Sequence, residues 1–205
     1  RVFERAPFRS EELTRALFFK RMDSAWRTRT MAFAGRIAAG EMGSHSFRLC
    51  FGEADGLPGL VVDLFDAEGS RALAVVQCHS AGADGLVSWL QQWLHERMGI
   101  DSGVIRNDME VRVREAAPKS VSSWGNLPKS PFALEGGVRF FVDPMVGQKT
   151  GYFYDLRDNR AEFAHRIAAM NLPKASILDC FSFVGAWGLQ VLKREPRATL
   201  VAVDS

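Results

Sequence analysis

Apolar side chains recur at helical spacing over residues 10–30, which predicts an amphipathic first helix. Ser10 is a suitable N-cap, and Glu11 and Glu12 stand in the first turn, where the helix dipole favours acids. Glycines at positions 35, 40 and 43 then predict a loose connection. A second helical stripe runs from Leu86 to Met98, and short apolar runs around it predict strands. The predicted strands cover residues 47–51, 60–65, 71–78, 104–106 and 111–114.

The pattern changes near residue 132. Residues 115–131 are rich in proline and serine, which predicts a long loop or a boundary between units. Strands and helices alternate after it, and this order predicts a parallel α/β sheet. The predicted elements are a strand from 138, a polar turn, a helix over 156–170, a strand over 176–181, a helix over 186–194 and a strand over 199–203.

Composition places the chain among ordinary soluble globular proteins, with 47% hydrophobic and 24% charged residues in 205. The net charge of +2 excludes a strongly basic nucleic-acid binder, although residues 1–48 hold ten basic and five acidic side chains. This basic segment can meet phosphates or can be a solvated helix face. No apolar run reaches the ~18 residues of a membrane span, and no signal peptide is visible. We therefore expect no membrane partner.

Cysteine usage indicates a reducing compartment, so we expect a cytoplasmic protein. Cys50, Cys78 and Cys180 are odd in number, far apart and each inside an apolar run, which argues against disulfides and against a metal site. We expect all three in the core. The four histidines show neither metal nor triad spacing.

The residues at the ends of two predicted strands are candidates for ligand binding. Asp179 to Gly185 ends one predicted strand, and Asp204 ends the next, nineteen residues beyond Gly185. Ligands of open parallel sheets bind at such ends, and an acid at this spacing accepts hydrogen bonds from ribose hydroxyls. Because the turn lacks a Gly-x-Gly-x-x-Gly pattern, a cofactor without a pyrophosphate, such as S-adenosylmethionine, is favoured over NAD or ATP.

An unusually polar segment precedes these ends: Gly-Gln-Lys-Thr-Gly-Tyr-Phe-Tyr-Asp-Leu-Arg-Asp-Asn-Arg over residues 147–160. Charged side chains are costly to bury unpaired, so this is not ordinary core sequence. The planar fork of an arginine suits a carboxylate or a phosphate. The segment predicts either a wall of the cofactor site or an ion-pair network that orients the following helix. The charged residues concerned are Lys149, Asp155, Arg157 and Arg160.

Residues 147–160 resemble the Gly-Gln-Lys-Thr-Gly-Phe-Phe-x-Asp-Gln-Arg-x-Asn-Arg signature of a family of S-adenosylmethionine-dependent RNA methyltransferases. These are the bacterial and archaeal 23S rRNA cytosine-C5 methyltransferases with an N-terminal PUA domain. Phe-Ser-Phe-Val-Gly over 181–185 is similar to that family's Phe-Ser-Tyr-Thr-Gly, and Val-Asp-Ser over 203–205 to its Val-Asp-x-Ser. Residues 48–63 and 106–112 resemble its central domain. Leu156, Phe183–Val184 and Ala186–Trp187 depart from the family pattern.

The resemblance implies an architecture and a site. Residues 1–5 would be the tail of a PUA domain, residues 6–131 a central α+β domain, and residues 132–205 the truncated N-terminal part of a Rossmann-like methyltransferase domain. The implied RNA-binding residues are Arg106 and Arg160. The implied S-adenosylmethionine-binding residues are Gln148, Lys149, Thr150, Asp155, Arg157, Asp179, Phe181, Ser182, Phe183, Gly185, Asp204 and Ser205.

The same resemblance implies the chemistry. Methylation at carbon 5 of cytosine needs a thiolate that adds to carbon 6, and the family's cysteine would lie beyond Ser205. The chain would then be a fragment without activity of its own, whose partners are rRNA or another RNA and a second copy in a homodimer. Two alternatives remain open at this point: a non-catalytic RNA-binding relative, and a methyltransferase of the same fold with another substrate.

Overall fold

A computed structural model describes residues 11–69, 71–172 and 174–204. The expected Ser10 cap, the expected PUA tail at residues 1–5 and Ser205 lie outside this part of the chain. The helices are α1 (Glu11–Ala38), α2 (Ala81–Asp84), α3 (Val87–Met98), α4 (Val111–Arg114), α5 (Arg157–Ala169) and α6 (Ala186–Arg194). The strands are β1 (Phe47–Phe51), β2 (Leu60–Ala67), β3 (Arg71–Cys78), β4 (Gly103–Asn107), β5 (Ser120–Trp124), β6 (Phe132–Glu135), β7 (Val138–Phe141), β8 (Ser176–Cys180) and β9 (Thr199–Val203).

Seven strands form the first sheet, in the order β5-β4-β3-β2-β6-β7, with β1 also paired to β2. Only β3 and β4 run parallel; the other neighbours are antiparallel. The β2–β3 hairpin carries eight Cα pairs, from Leu60 with Cys78 to Ala67 with Arg71. This hairpin forms the centre of the sheet.

Both faces of the first sheet are covered, which explains the nearly continuous apolar run of β2. Leu60, Val62 and Leu64 face a core built with α1 and α3, where Trp93 is fully buried. Phe65 faces the other way, into a smaller core that contains Tyr152 and Tyr154 from the polar segment. The polar segment is therefore packed against the sheet rather than loose on the surface.

The second sheet has two parallel strands, β8 and β9, joined through α6. Helix α6 buries Val191, and α5 packs beside it. On the other face, Leu178, Val201 and Val203 are more than half exposed, and the described residues leave this face uncovered. The α+β part followed by a β-α-β unit is the order that the sequence predicted.

Four local predictions were wrong. Helix α1 continues through Gly35 to Ala38, and the chain turns only at Gly40, where φ is +68°. Val111–Arg114 is a helical turn, not a strand. Its Val-Arg-Val-Arg alternation suggested period two, but Arg112 turns inward and donates to both carboxylate oxygens of Asp84, each at 2.9 Å.

The expected loop over 115–131 contains strand β5, which pairs antiparallel with β4. Cys180, expected in the core, is exposed because it belongs to the uncovered face of the second sheet. Strands β6 and β7 follow the expected boundary at 131/132, yet they are hydrogen-bonded to each other and join the first sheet through β2. The division into domains stays a prediction.

Candidate functional site

A cavity of about 560 Å³ lies between the polar segment and the turn after β8. This volume is within the ~300–1,000 Å³ of ligand clefts. We call it the first cavity. Its lining residues are Val146, Gly147, Gln148, Phe153, Leu156, Arg160, Phe181, Ser182, Phe183, Val184, Ala186, Trp187 and Asp204.

The turn at residues 181–185 forms one wall and has an unusual backbone. Phe181, Phe183 and Gly185 all have left-handed φ values, of 59°, 49° and 71°. For the two phenylalanines this conformation is strained, and such strain concentrates at functional sites. The turn is held by the amide of Ser182, which donates to the Val203 carbonyl at 3.1 Å, and by the amide of Gly185, which donates to the Ser182 carbonyl at 2.7 Å.

Asp204 is fixed beside this turn, since its carboxylate accepts from the Phe183 amide. Helix α6 begins one residue after Gly185, so its first amides point towards the cavity end of the helix. Asp179, further back on β8, accepts from the Gly188 amide at 3.1 Å and thereby ties the strand to the helix. A carboxylate and a helix N-terminus thus meet at one end of the cavity.

The polar segment forms the opposite wall. The rings of Phe153 and Phe183 meet edge to face, with centroids 5.7 Å apart, and connect the two walls. Arg160 is buried and donates to the Phe153 carbonyl at 2.9 Å. Arg160, itself a lining residue, therefore fixes the Phe153 backbone in this wall.

Glu135 on β6 holds the buried arginines in place. Its two carboxylate oxygens accept from Arg160 at 2.7 and 2.6 Å, and one also accepts from the Tyr152 hydroxyl at 2.9 Å. Burial raises the pKa of Tyr152, so this hydroxyl stays protonated and donates. The Arg157 Nε lies 3.6 Å from Glu135, which is an ion pair but too long for a hydrogen bond. Arg157 also donates to the carbonyl of Ser46, on the first sheet's side.

Asp63 on β2 makes a second anchor and is fully buried. It accepts from Arg48 at 2.7 and 2.9 Å and from the Thr150 hydroxyl at 2.6 Å. A buried carboxylate needs such partners. The beginning of the polar segment is thereby tied to the centre of the first sheet.

A second cavity, of about 400 Å³, lies on the sheet side of the polar segment and shares Phe153 with the first. Arg106 lies at its border, where it donates to Asp108 and to the carbonyls of Pro144 and Gly147. The hydrogen bonds from Arg106 lower the pKa of Asp108, so this carboxylate stays charged.

The structure brings together only part of the predicted site. Six of the predicted residues line the first cavity: Gln148, Arg160, Phe181, Ser182, Phe183 and Asp204. Three others, Arg106, Lys149 and Asp155, line the second cavity. Asp179 and Gly185 support the turn after β8. Thr150 and Arg157 donate hydrogen bonds to the first sheet's side, to Asp63 and to the Ser46 carbonyl. Their assigned roles in binding stay predictions, and Ser205 lies outside the described residues.

Sequence reasoning missed the apolar lining. Val146, Phe153, Leu156 and Trp187 line the first cavity without any polar signal of their own. Phe153 and Leu156 stand inside the motif over residues 147–160, and Val146 and Trp187 stand beside a recognised motif; these positions were the signal that could have identified them.

The cysteines differ sharply in environment. Burial raises the pKa of Cys50 and of Cys78 to about 12, which leaves both thiols protonated near neutral pH. Cys180 is exposed.

Residues 11–69, 71–172 and 174–204 contain no cluster of three His, Cys, Asp or Glu side chains that could hold a metal ion. Within the same ranges, none of the helices combines the length and the apolar character that a membrane crossing requires.

The chain matches no protein-family model. Similar curated proteins carry the name ribosomal RNA large subunit methyltransferase I. The protein from Aeromonas hydrophila is 34% identical over 154 residues, which covers 74% of this chain and 36% of the relative. Those from Shewanella amazonensis and Yersinia pseudotuberculosis are 35% and 36% identical, over 79% and 73% of this chain. The chain therefore spans somewhat more than a third of the length of these relatives.

A solved structure of a candidate S-adenosylmethionine-dependent methyltransferase from Streptococcus mutans has the same fold. The TM-score is 0.60 at 16% identity, over 93% of this chain and 45% of the other. The expected fold class, an α+β part followed by a Rossmann-like α/β part, is confirmed by this likeness. Over about three quarters of its length, the chain is similar in sequence to the ribosomal RNA large subunit methyltransferase I proteins.

Proposed function

We propose that the protein is an S-adenosylmethionine-dependent methyltransferase that methylates carbon 5 of a cytosine in 23S rRNA. The observation that carries the proposal is the first cavity, where Asp204, the strained turn and the start of α6 converge opposite the polar segment. The names of the similar curated proteins support an RNA substrate. A cytoplasmic location and a homodimer belong to the same proposal.

The residues of the first cavity suit S-adenosylmethionine. Asp204 would accept hydrogen bonds from the ribose hydroxyls. The apolar side chains of Phe153, Leu156 and Trp187 offer surface for the adenine ring, and the amides at the start of α6 suit a carboxylate. When bound, the cofactor supplies an electrophilic methyl group.

The nucleophile that activates the base is not supplied by the three cysteines of this chain. Carbon 5 of cytosine becomes nucleophilic after a thiolate adds to carbon 6, and the thiolate leaves again when carbon 5 loses its proton. Cys50 and Cys78 are buried and protonated. Cys180 lies in the row of Leu178, on the uncovered face of the second sheet, and does not line the first cavity. We propose that this thiol lies outside these 205 residues.

Calorimetric titration of the protein at its natural length with S-adenosylmethionine tests the cofactor assignment. We expect binding by the natural protein and a loss of at least about tenfold in affinity for Asp204→Ala, because the ribose loses its acceptor. Asp101→Ala is the matched control, since that aspartate is exposed and remote from the first cavity. Equal binding heats for the natural protein and Asp204→Ala would overturn the site.

Transfer of a labelled methyl group to purified 23S rRNA tests the substrate. Digestion to nucleosides should place the label in 5-methylcytidine. Label in another nucleoside would correct the base, and label found only with other RNAs or small molecules would correct the substrate class.

A further inference from the structure

The floor of the second cavity is a row of four side chains across the first sheet. Phe51 on β1 pairs with Val61 on β2, and Val61 pairs with Gln77 on β3. On the parallel strand β4, Ile105 pairs with Val76, so the next residue, Arg106, lies beside Gln77. All four line the cavity. Strand pairing therefore presents an aromatic ring, an amide and a guanidinium on one surface.

The roof is the polar segment, which contributes Lys149, Phe153 and Asp155. It cannot lift away freely, since Thr150 is hydrogen-bonded to the buried Asp63. Asp63 also holds Arg48, another lining residue, on the floor side. Roof and floor are thus fixed by one carboxylate, which makes the cavity a built site rather than a surface depression.

Gln77 contributes a side-chain amide to the wall of the second cavity. Only 6% of this residue is exposed, and its side-chain amide lies in the cavity wall with no hydrogen bond to the described residues. An amide that faces an open cavity without a hydrogen bond to the protein offers both a donor and an acceptor to a ligand. The edge of a nucleobase carries the complementary groups.

Two cation–aromatic pairs flank this amide. The Arg48 guanidinium lies 5.3 Å from the Phe51 ring centroid, and the Lys149 ammonium lies 4.6 Å from that of Phe153. Phe51 is 54% exposed, so part of its ring is accessible to a base that stacks on it. Arg48 and Arg106 are paired with Asp63 and Asp108. Lys149 forms no ion pair with a described carboxylate, so it is the cation left for a phosphate.

We propose that the second cavity binds one unpaired nucleotide of the RNA substrate. Its base stacks on Phe51 and is hydrogen-bonded by Gln77, and its phosphate meets Lys149. Proteins recognise single-stranded RNA through such combinations of stacking, edge contacts and cations. The inference rests on the proposed RNA methyltransferase function and adds a substrate site distinct from the cofactor cavity.

Fluorescence anisotropy with a labelled single-stranded RNA oligonucleotide tests the inference on the protein at its natural length. We expect Phe51→Ala, Gln77→Met and Lys149→Gln each to weaken RNA binding by about five- to tenfold. Two matched controls are Phe141→Ala, whose ring on β7 is 55% exposed, and Lys174→Gln, an exposed lysine remote from both cavities. Both should bind RNA as the natural protein does.

Titration with S-adenosylmethionine separates this inference from the proposed function. Phe51→Ala and Gln77→Met should keep the cofactor affinity, since neither residue lines the first cavity. Normal cofactor binding combined with unchanged RNA affinity in the three variants would overturn the nucleotide site alone. The nucleotide site would also be overturned if the variants and the controls lost RNA affinity equally. It would be overturned as well if the natural protein bound no RNA. Absent cofactor binding by the natural protein would overturn the proposed function instead. If Phe51→Ala does not fold by circular dichroism, Phe51→Leu replaces it.

Discussion

The two sheets of this protein are packed very differently, although each supports one wall of the first cavity. In the first sheet, β2 and β3 are buried on both faces and are flanked by helices and by the polar segment. In the second sheet, β8 and β9 carry apolar side chains, yet only the α6 side is covered within the described residues. Parallel sheets are ordinarily covered on both faces.

Because of this difference, we expect the two walls of the first cavity to differ in stiffness. The polar segment is anchored to the first sheet by Glu135 and Asp63, both fully surrounded by donors. In the turn at residues 181–185, Val184 packs half-buried against the smaller core and Phe183 meets Phe153, while backbone bonds and Asp204 attach the turn to the two-stranded sheet. Local opening requires little free energy where few apolar contacts must be broken. We therefore expect the turn, and not the polar segment, to adjust when a ligand binds.

The largest expected effect comes from removing the anchor of the stiff wall. Glu135→Gln leaves Arg160 and Arg157 buried without a carboxylate, and the free energy of unfolding should fall by about 3–5 kcal/mol. Urea denaturation followed by circular dichroism measures the change. Glu162→Gln is the matched control, since its ion pair with Arg166 is exposed on α5 and should contribute little. Comparable losses in both variants would contradict the special role of Glu135.

Alanine substitutions at one leucine in each sheet compare how much the two sheets contribute to the free energy of unfolding. Leu73→Ala on β3 removes a fully buried side chain and should cost about 2–5 kcal/mol of unfolding free energy. Leu178→Ala on β8 removes one that is 64% exposed, and its cost should stay within about 0.5 kcal/mol. Thermal and urea denaturation of both variants measures the difference. A large cost at Leu178 would mean that the face of the second sheet is covered in solution.

A third effect concerns the thiols and appears only when the pH is raised above neutral. Below pH 9, Cys50 and Cys78 are protonated in both the folded and the unfolded chain, so their contribution is constant. Between pH 9 and about 12, the unfolded chain loses these protons while the folded chain keeps them. The free energy of unfolding should therefore fall as pH rises, by about 1.4 kcal/mol per pH unit for each thiol.

Urea denaturation at pH 8, 9 and 10 measures that slope. Cys50→Ala should reduce the slope by about half, because Cys78 still contributes, whereas Cys180→Ala, at an exposed position of the second sheet, should leave it unchanged. A slope that persists without Cys50 and Cys78 would assign the effect to other groups.

Sequence patterns predicted most of the elements because hydrophobic period and length decide them. The strands β1, β3, β8 and β9 and the helices α5 and α6 lie close to where periodicity placed them. Arg112 shows where periodicity failed: its bonds to Asp84 and to the Cys78 carbonyl join segments about thirty residues apart. No local pattern contains that contact.

The candidate site was predicted unevenly for a related reason. Gln148, Phe183 and Asp204 belong to recognisable motifs and do line the first cavity. Thr150 and Arg157 stand in the same motif but face the first sheet, and the sequence could not distinguish them because that choice depends on Asp63 and Ser46. Gln77 carried no motif, and only strand register places it beside Phe51 and Val61.

Phe153 borders both cavities, and its ring is held between Lys149 on one side and Phe183 on the other. A ligand that turns this ring from one cavity changes the shape of the other. Any resulting coupling must be reciprocal, so the factor by which the first ligand alters the affinity of the second equals the factor in the reverse direction. A single aromatic side chain, shared by both walls, is thus the point through which the two cavities are connected.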